Sequence, residues 1–118
     1  MANPINGLAA LAIDCNDPPE LARWWHGLIG GELDLDDQGD ASVTADGFPR
    51  LDFLRVPEPK TIKNRLHLDL RSTDFDAAVA AAVAHGAVPA DDVFDGSSWQ
   101  VLRDPEANEF CILRPENG

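Results

Sequence analysis

The chain has 118 residues, 44% hydrophobic and 25% charged, enough apolar material for one compact domain with its own core and no disulfide staples. Its 21 acidic and 9 basic side chains leave a formal charge of −12, with the cations scattered from Arg23 to Arg114, so nucleic acid and anionic membrane are poor partners. No apolar run approaches the ~18 residues of a membrane span, and "MANPINGL" has no basic region leading into an apolar block, so no secretory leader is expected. Two cysteines, Cys15 and Cys111, without C-x-x-C spacing point to a reducing cytoplasm.

"LAALAIDC", Leu8 to Cys15, reads as a strand. A helix follows: Asp17 caps it, Pro18 suits its first turn, and Glu20 completes a D-x-x-E pattern. Leu21, Trp25 and Leu28 form its apolar stripe, and Gly30 and Gly31 stop it. "ELDLDD", "ASVTA" and "RLDFLRV" (50–56) read as three strands separated by "QGD" and "DGFP" turns. Residues 57–64, "PEPKTIKN", read as a linker. Leu66, Leu68 and Leu70 then alternate with His67 and Asp69 in a half-buried strand over 65–71. "STDFDAAVAAAVAHGA" is a helix with Phe75, Val79 and Val83 spaced by four and Gly86 at its end. "VPADDVFDG" gives a weak strand and turn, "SWQVLR" a strand, "DPEAN" a turn and "EFCILRP" the last strand.

The order β-α-β-β-β therefore occurs twice, as a module over 8–56 and a module over 65–115 of a single domain, 1–118. A shift of 57 residues places Ala10 on His67 and the helix cap Asp17 on Asp74, which caps the second helix. A shift of 59 places "LDFLR" (51–55) on "FCILR" (110–114).

Two such modules, with D-P-P-E-L-A-x-W-W in the first and D-P-E-A-N-E-F in the last hairpin, resemble the glyoxalase/bleomycin-resistance/dioxygenase superfamily, also called vicinal oxygen chelate. "VPEPKTIKNRLHLDLR" and "LRDPEANEFCILRP" most resemble its small actinobacterial glyoxalase-like proteins. The resemblance implies an α+β fold in which curved mixed sheets enclose a cleft and carry helices on their convex face. It also implies a homodimer and a small-molecule ligand. Strand alternation then assigns Leu11, Ile13, Leu66, Leu68 and Leu70 to the helix side, the last three against Phe75, Val79 and Val83. Ala10, Ala12, Asp14, Asp52, Leu54, His67, Asp69, Arg71, Cys111 and Leu113 fall on the concave side. Cys15 and Cys111 face opposite ways, which argues against their pairing.

The resemblance implies a divalent metal held at four concave positions, here Ala10, His67, Cys111 and Asp52, with Leu54 as the competing alignment for the fourth-strand position. His67 and Asp52 are possible ligands, Ala10 ligates nothing, and a thiolate at Cys111 suits softer ions than an oxygen-rich site does. The expectation is a cleft without a tightly held metal, in which His67 hydrogen-bonds Asp69, Asp52 or a ligand. Cys111 is a nucleophile only if a neighbour lowers its pKa, and otherwise a small apolar residue. Trp25 belongs to the helix stripe. Trp99, beside Gly96, Ser97 and Ser98, is the better candidate for contact with a planar ligand. His26 and His85 suit helix C-termini. No phosphate loop or nucleophile elbow is present. Three functions remain open: a metal-free binding protein, a metal-dependent lyase, isomerase or dioxygenase with Asp69 or Asp14 as base, and an interaction module with a vestigial cleft.

Overall fold

Asp17 and Asp74 open the two helices as the sequence predicts. Each carboxylate accepts the backbone N–H three residues on, from Glu20 at 3.2 Å and from Ala77 at 3.1 Å. In the computed structural model, which describes residues 3–94 and 98–115, the chain forms two compact units that divide between Glu58 and Pro59. The first contains β1 (Leu11–Cys15), α1 (Pro18–Ile29), β2 (Glu32–Leu35), β3 (Ala41–Thr44) and β4 (Leu51–Arg55). The second contains β5 (Leu68–Arg71), α2 (Phe75–Ala84), β6 (Val88–Pro89), β7 (Trp99–Arg103) and β8 (Glu109–Leu113). Each is a βαβββ module with a mixed four-stranded sheet, ordered β1-β4-β3-β2 and β5-β8-β7-β6. The first and last strands of each module pair in parallel, and the remaining pairs are antiparallel. The turn expected at Asp95 and Gly96 lies outside the described residues.

In the first unit α1 buries Leu21, Ala22 and Trp25, and the sheet buries Val43, Leu51 and Phe53. Burying side chains of this size contributes about 1.5–3 kcal/mol each. Cys15 belongs to this buried set, whereas Ala12 and Asp14 are exposed on the other face of β1. In the second unit Leu102, Phe110, Ile112 and Ala82 are buried. Cys111 alternates away from Phe110 and Ile112 and packs with Ala90, Val101 and Leu113. Both cysteines are free thiols. His26 places Nε2 3.1 Å from the Gly31 carbonyl at the end of α1, and His85 caps α2 through its backbone N–H.

Three expectations are corrected, two about strand limits and one about the buried face of α2. First, β1 starts at Leu11, not Leu8, so Ala10 precedes the strand. The register with β4 starts at Leu11 opposite Leu51, and Leu8 is exposed. Second, β5 starts at Leu68, not Arg65. His67 stands just before it, and Leu66 is 83% exposed instead of packing under α2. The register with β8 begins at Leu68 opposite Phe110, and the preceding Asn64 is held by Glu109 in a different geometry. Third, Val83 is exposed, and α2 buries Ala82 fully while Phe75, Ala78 and Val79 are half-buried. At 3.6 residues per turn, position i+7 returns to within about 20° of i, while i+8 drifts by about 80°. The buried stripe therefore follows i, i+3, i+4, i+7.

The β7–β8 turn is built around Asp104. Its Oδ1 accepts backbone N–H groups from Glu106 at 2.9 Å and Asn108 at 3.0 Å. Closing the turn puts Ala107 at φ 69°, the left-handed region. This turn fixes the register Val101↔Cys111 and Arg103↔Glu109.

Glu109 then ties the unit together. Its carboxylate accepts the Asn64 backbone N–H at 2.9 Å, Lys60 Nζ at 3.0 Å and Arg103 Nε at 3.2 Å. The outer nitrogens of Arg103 make a two-pronged contact with Asp92 at 3.0 and 2.9 Å. Burial works to raise the Glu109 pKa, but the Asn64 N–H and the Lys60 and Arg103 cations outweigh it and bring it from 4.5 to about 2.

Two predictions follow from this hairpin. Ala107→Gly removes the left-handed penalty of about 1–2 kcal/mol while adding chain entropy to the unfolded state; a net gain of about 0.5–1 kcal/mol is expected in urea melts, and a loss would contradict the strain. Because the folded Glu109 pKa lies below its unfolded value, its contribution is complete above about pH 5 and is lost as pH falls toward about 2. Melts over that window should lose roughly 2–3 kcal/mol from this group, and Glu109→Gln should flatten that part of the profile while lowering stability at neutral pH.

Candidate functional site

Alternation on β5 and β8 carries Asp69 and Cys111 to the same face, opposite one another in the parallel pair, with Leu113 two residues further on. Trp99 pairs with Leu113 and Val101 with Cys111 across β7–β8, so both share that face. His67 reaches it from just before β5. These side chains, with Lys63, Val93, Phe94 and Glu109, line a cavity of about 280 Å³ within the second unit.

The polar side of the cavity is a short chain of contacts. His67 Nδ1 lies 2.9 Å from Asp69 Oδ1 and 4.0 Å from Cys111 Sγ. The thiol is buried against Ala90 and Val101. Its pKa is pushed up to about 11, first by burial and then by the Asp69 carboxylate, with Lys63 opposing weakly. Cys111 is therefore a protonated thiol at neutral pH, the opposite of an activated nucleophile. The apolar side is aromatic. Phe94 and Trp99 stack with centroids 4.3 Å apart and planes 9° from parallel, and each is about one-third exposed (37% and 36%).

The structure brings His67, Asp69, Cys111, Leu113 and Trp99 around this one cavity. Ala10, Ala12, Asp14, Asp52 and Leu54 belong to the first unit. There Asp52 and Leu54 line a separate depression of about 130 Å³ with Asp34, Asp36, Asp40, Ser42 and Arg50. Asp52 faces the open side as its register requires, opposite Ser42 and Ala12, and accepts Arg50 Nε at 2.7 Å. That contact raises the Arg50 pKa. Sequence reasoning did not select Lys63, Val93, Phe94 or Glu109 for the site. The "NEF" of the last hairpin held Glu109 in view, but nothing local marked a buried carboxylate. Phe94 lies in a stretch whose pattern gives only a weak strand and turn.

His67, Asp69 and Cys111 form a group that could hold a metal ion, with one ligand atom from each within 4.8 Å of the others. Their chemistry fits the implied oxygen-rich ion poorly. The His67 nitrogen nearest the group already faces Asp69, and Cys111 must lose a proton held to about pH 11. Such a group takes at most a soft ion, in exchange for protons.

No helix among the described residues is long and apolar enough to cross a membrane. Among curated proteins no significant match to the chain is found. Similar solved structures include a glyoxalase/bleomycin resistance protein/dioxygenase superfamily member from Sphaerobacter thermophilus DSM 20745, with 14% identity, 93% of this chain and 98% of that one covered, and a TM-score of 0.70. The fosfomycin resistance protein FosX from Listeria monocytogenes, complexed with Mn(II), has 11% identity, coverage of 92% and 90%, and a TM-score of 0.71. TnmS3, an antibiotic binding protein from Streptomyces sp. CB03234, has 17% identity, coverage of 98% and 100%, and a TM-score of 0.66. At these identities the likeness is one of fold, that of the glyoxalase/bleomycin-resistance (vicinal oxygen chelate) superfamily. The sequence profile of the family described as "Glyoxalase-like domain" matches residues 10–113, nearly the whole chain, and the chain belongs to that family.

Proposed function

We propose that this chain is a small-molecule-binding protein of the glyoxalase-like kind common in actinobacteria, and that it holds an organic ligand without a tightly bound metal. The cavity of the second unit carries this reading. It joins an apolar aromatic wall of Val93, Phe94, Trp99 and Leu113 to a few polar groups at His67, Asp69 and Lys63, the usual makeup of a ligand pocket. Its volume of about 280 Å³ lies near the lower end for such pockets, so the ligand is small. The binding activity named for TnmS3 supports the reading by analogy. In the first unit, Ala10, Ala12, Asp14, Asp52 and Leu54 are the proposed ligand-facing residues. A homodimer in the cytoplasm completes the proposal, supported by superfamily habit and by two buried free thiols.

His67 and Asp69 would serve as binding groups. Asp69 fixes the ring orientation of His67 through Nδ1 and leaves Nε2 to meet a ligand. Two observations favour a second reading, a metal-dependent lyase, isomerase or dioxygenase using His67, with Asp52 of the first unit as the further ligand the family resemblance implies: His67 stands with Asp69 and Cys111 in a cluster of possible ligand atoms, and FosX is a fold relative complexed with Mn(II).

Elemental analysis of protein purified without chelator separates the two. We expect metal well below one ion per chain, unchanged in His67→Ala. Stoichiometric metal that disappears in His67→Ala would overturn the metal-free reading. A small aromatic library should quench tryptophan fluorescence through Trp99, and no quenching by any member would count against a ligand cavity.

A further inference from the structure

The polar groups of the cavity differ in how much hydrogen-bonding capacity the chain itself uses. The ligand class that follows rests on the ligand-binding reading above. Two acids line the cavity. Glu109 has both carboxylate oxygens engaged, by Asn64 and Lys60 on one and Arg103 on the other. Asp69 meets His67 at 2.9 Å, and its charge bears on the Cys111 thiol. The acceptors of Glu109 are spent on the chain's own donors, whereas Asp69 gives one oxygen to His67 and keeps a half-exposed carboxylate on the His67 side of the cavity.

Lys63 is the contrast. It lines the same cavity, yet its ammonium makes one long bond, 3.4 Å to the carbonyl of the adjacent Asn64. Among the described residues it enters no ion pair. Three N–H donors with one weak acceptor leave unused donor capacity on a residue that lines the cavity. The other lining surface is the parallel Phe94–Trp99 stack, partly uncovered.

We propose that the cavity selects a planar aromatic acid, with its ring against an outer face of the Phe94–Trp99 stack and its carboxylate at the Lys63 ammonium. The chain's formal charge of −12 opposes any anion at long range. At physiological ionic strength that repulsion is screened beyond about 8 Å, so the nearest unpaired cation decides. Lys63 is then a specificity-determining residue, and it lies in a segment the sequence pattern reads as a linker.

Calorimetric titrations at about 0.15 M salt with 2-naphthoate, 2-naphthamide and 2-naphthylmethylammonium test this. Naphthoate should bind at least about tenfold more tightly than the amide, as a charge-assisted hydrogen bond warrants, and more tightly than the ammonium. Lys63→Gln, at an exposed side chain, should erase the preference for naphthoate over the amide. Trp99→Ala, checked for folding by circular dichroism, should weaken both alike. An amide or ammonium that binds as well as naphthoate, or a preference that survives Lys63→Gln, overturns the proposal and leaves the pocket reading intact. No binding by any of the three overturns both.

Discussion

A carboxylate with 4% of its surface exposed stays ionised only if donors surround it, and Glu109 draws its donors from separate stretches of chain. Lys60 and Asn64 come from the connection before β5, and Arg103 from β7. Arg103 in turn holds Asp92 in the segment after β6. The cavity lining is built from neighbours of these anchored residues: Lys63 beside Asn64, Val93 and Phe94 after Asp92, and Cys111 two residues beyond Glu109. The network therefore positions both the cationic and the aromatic walls. A well-packed apolar residue in place of Glu109 could be as stable, but it would give the connection no reason to lie where it does.

The parallel pairing of β5 with β8 is the second constraint. It sets Asp69 directly opposite Cys111. A carboxylate there disfavours the thiolate, and packing against Ala90 and Val101 disfavours it further. A histidine within 4.0 Å could suggest a nucleophilic cysteine, but its Nδ1 is directed at Asp69. The trio makes a fixed polar floor: the cysteine packs, the aspartate orients, and the histidine presents its remaining ring nitrogen.

Local chemistry made much of the fold legible in the sequence. Asp17 and Asp74 bond to N–H groups three residues away, so their helices could be placed without knowing the tertiary structure. The facing of Asp52 and Cys111 followed from alternation counted along their strands. The misplaced limits depend on partners distant in sequence. "RLHLDL" alternates from Arg65, but the β8 register begins opposite Leu68. Val83 fits a spacing of four, yet helical drift carries it off the buried face and leaves Ala82 there. Lys63 and Phe94 lie in stretches without periodicity, so no pattern could have brought them to one cavity. Only folding does that.

The two modules show how one backbone plan supports different chemistry. Ala12 stands opposite Asp52 in the first and Asp69 opposite Cys111 in the second, at matching positions of the repeat. Each pair has one acid, but the acid has changed strands. In the first module it meets Arg50 in a shallow depression lined by three further aspartates, Asp34, Asp36 and Asp40. In the second it orients His67 beside an aromatic wall. Apolar and aromatic surface favours burial of apolar ligand atoms, whereas carboxylates favour polar or cationic ones. The same topology thus yields an acidic depression in one module and an aromatic-walled cavity in the other, and the difference rests on which side chains occupy equivalent positions.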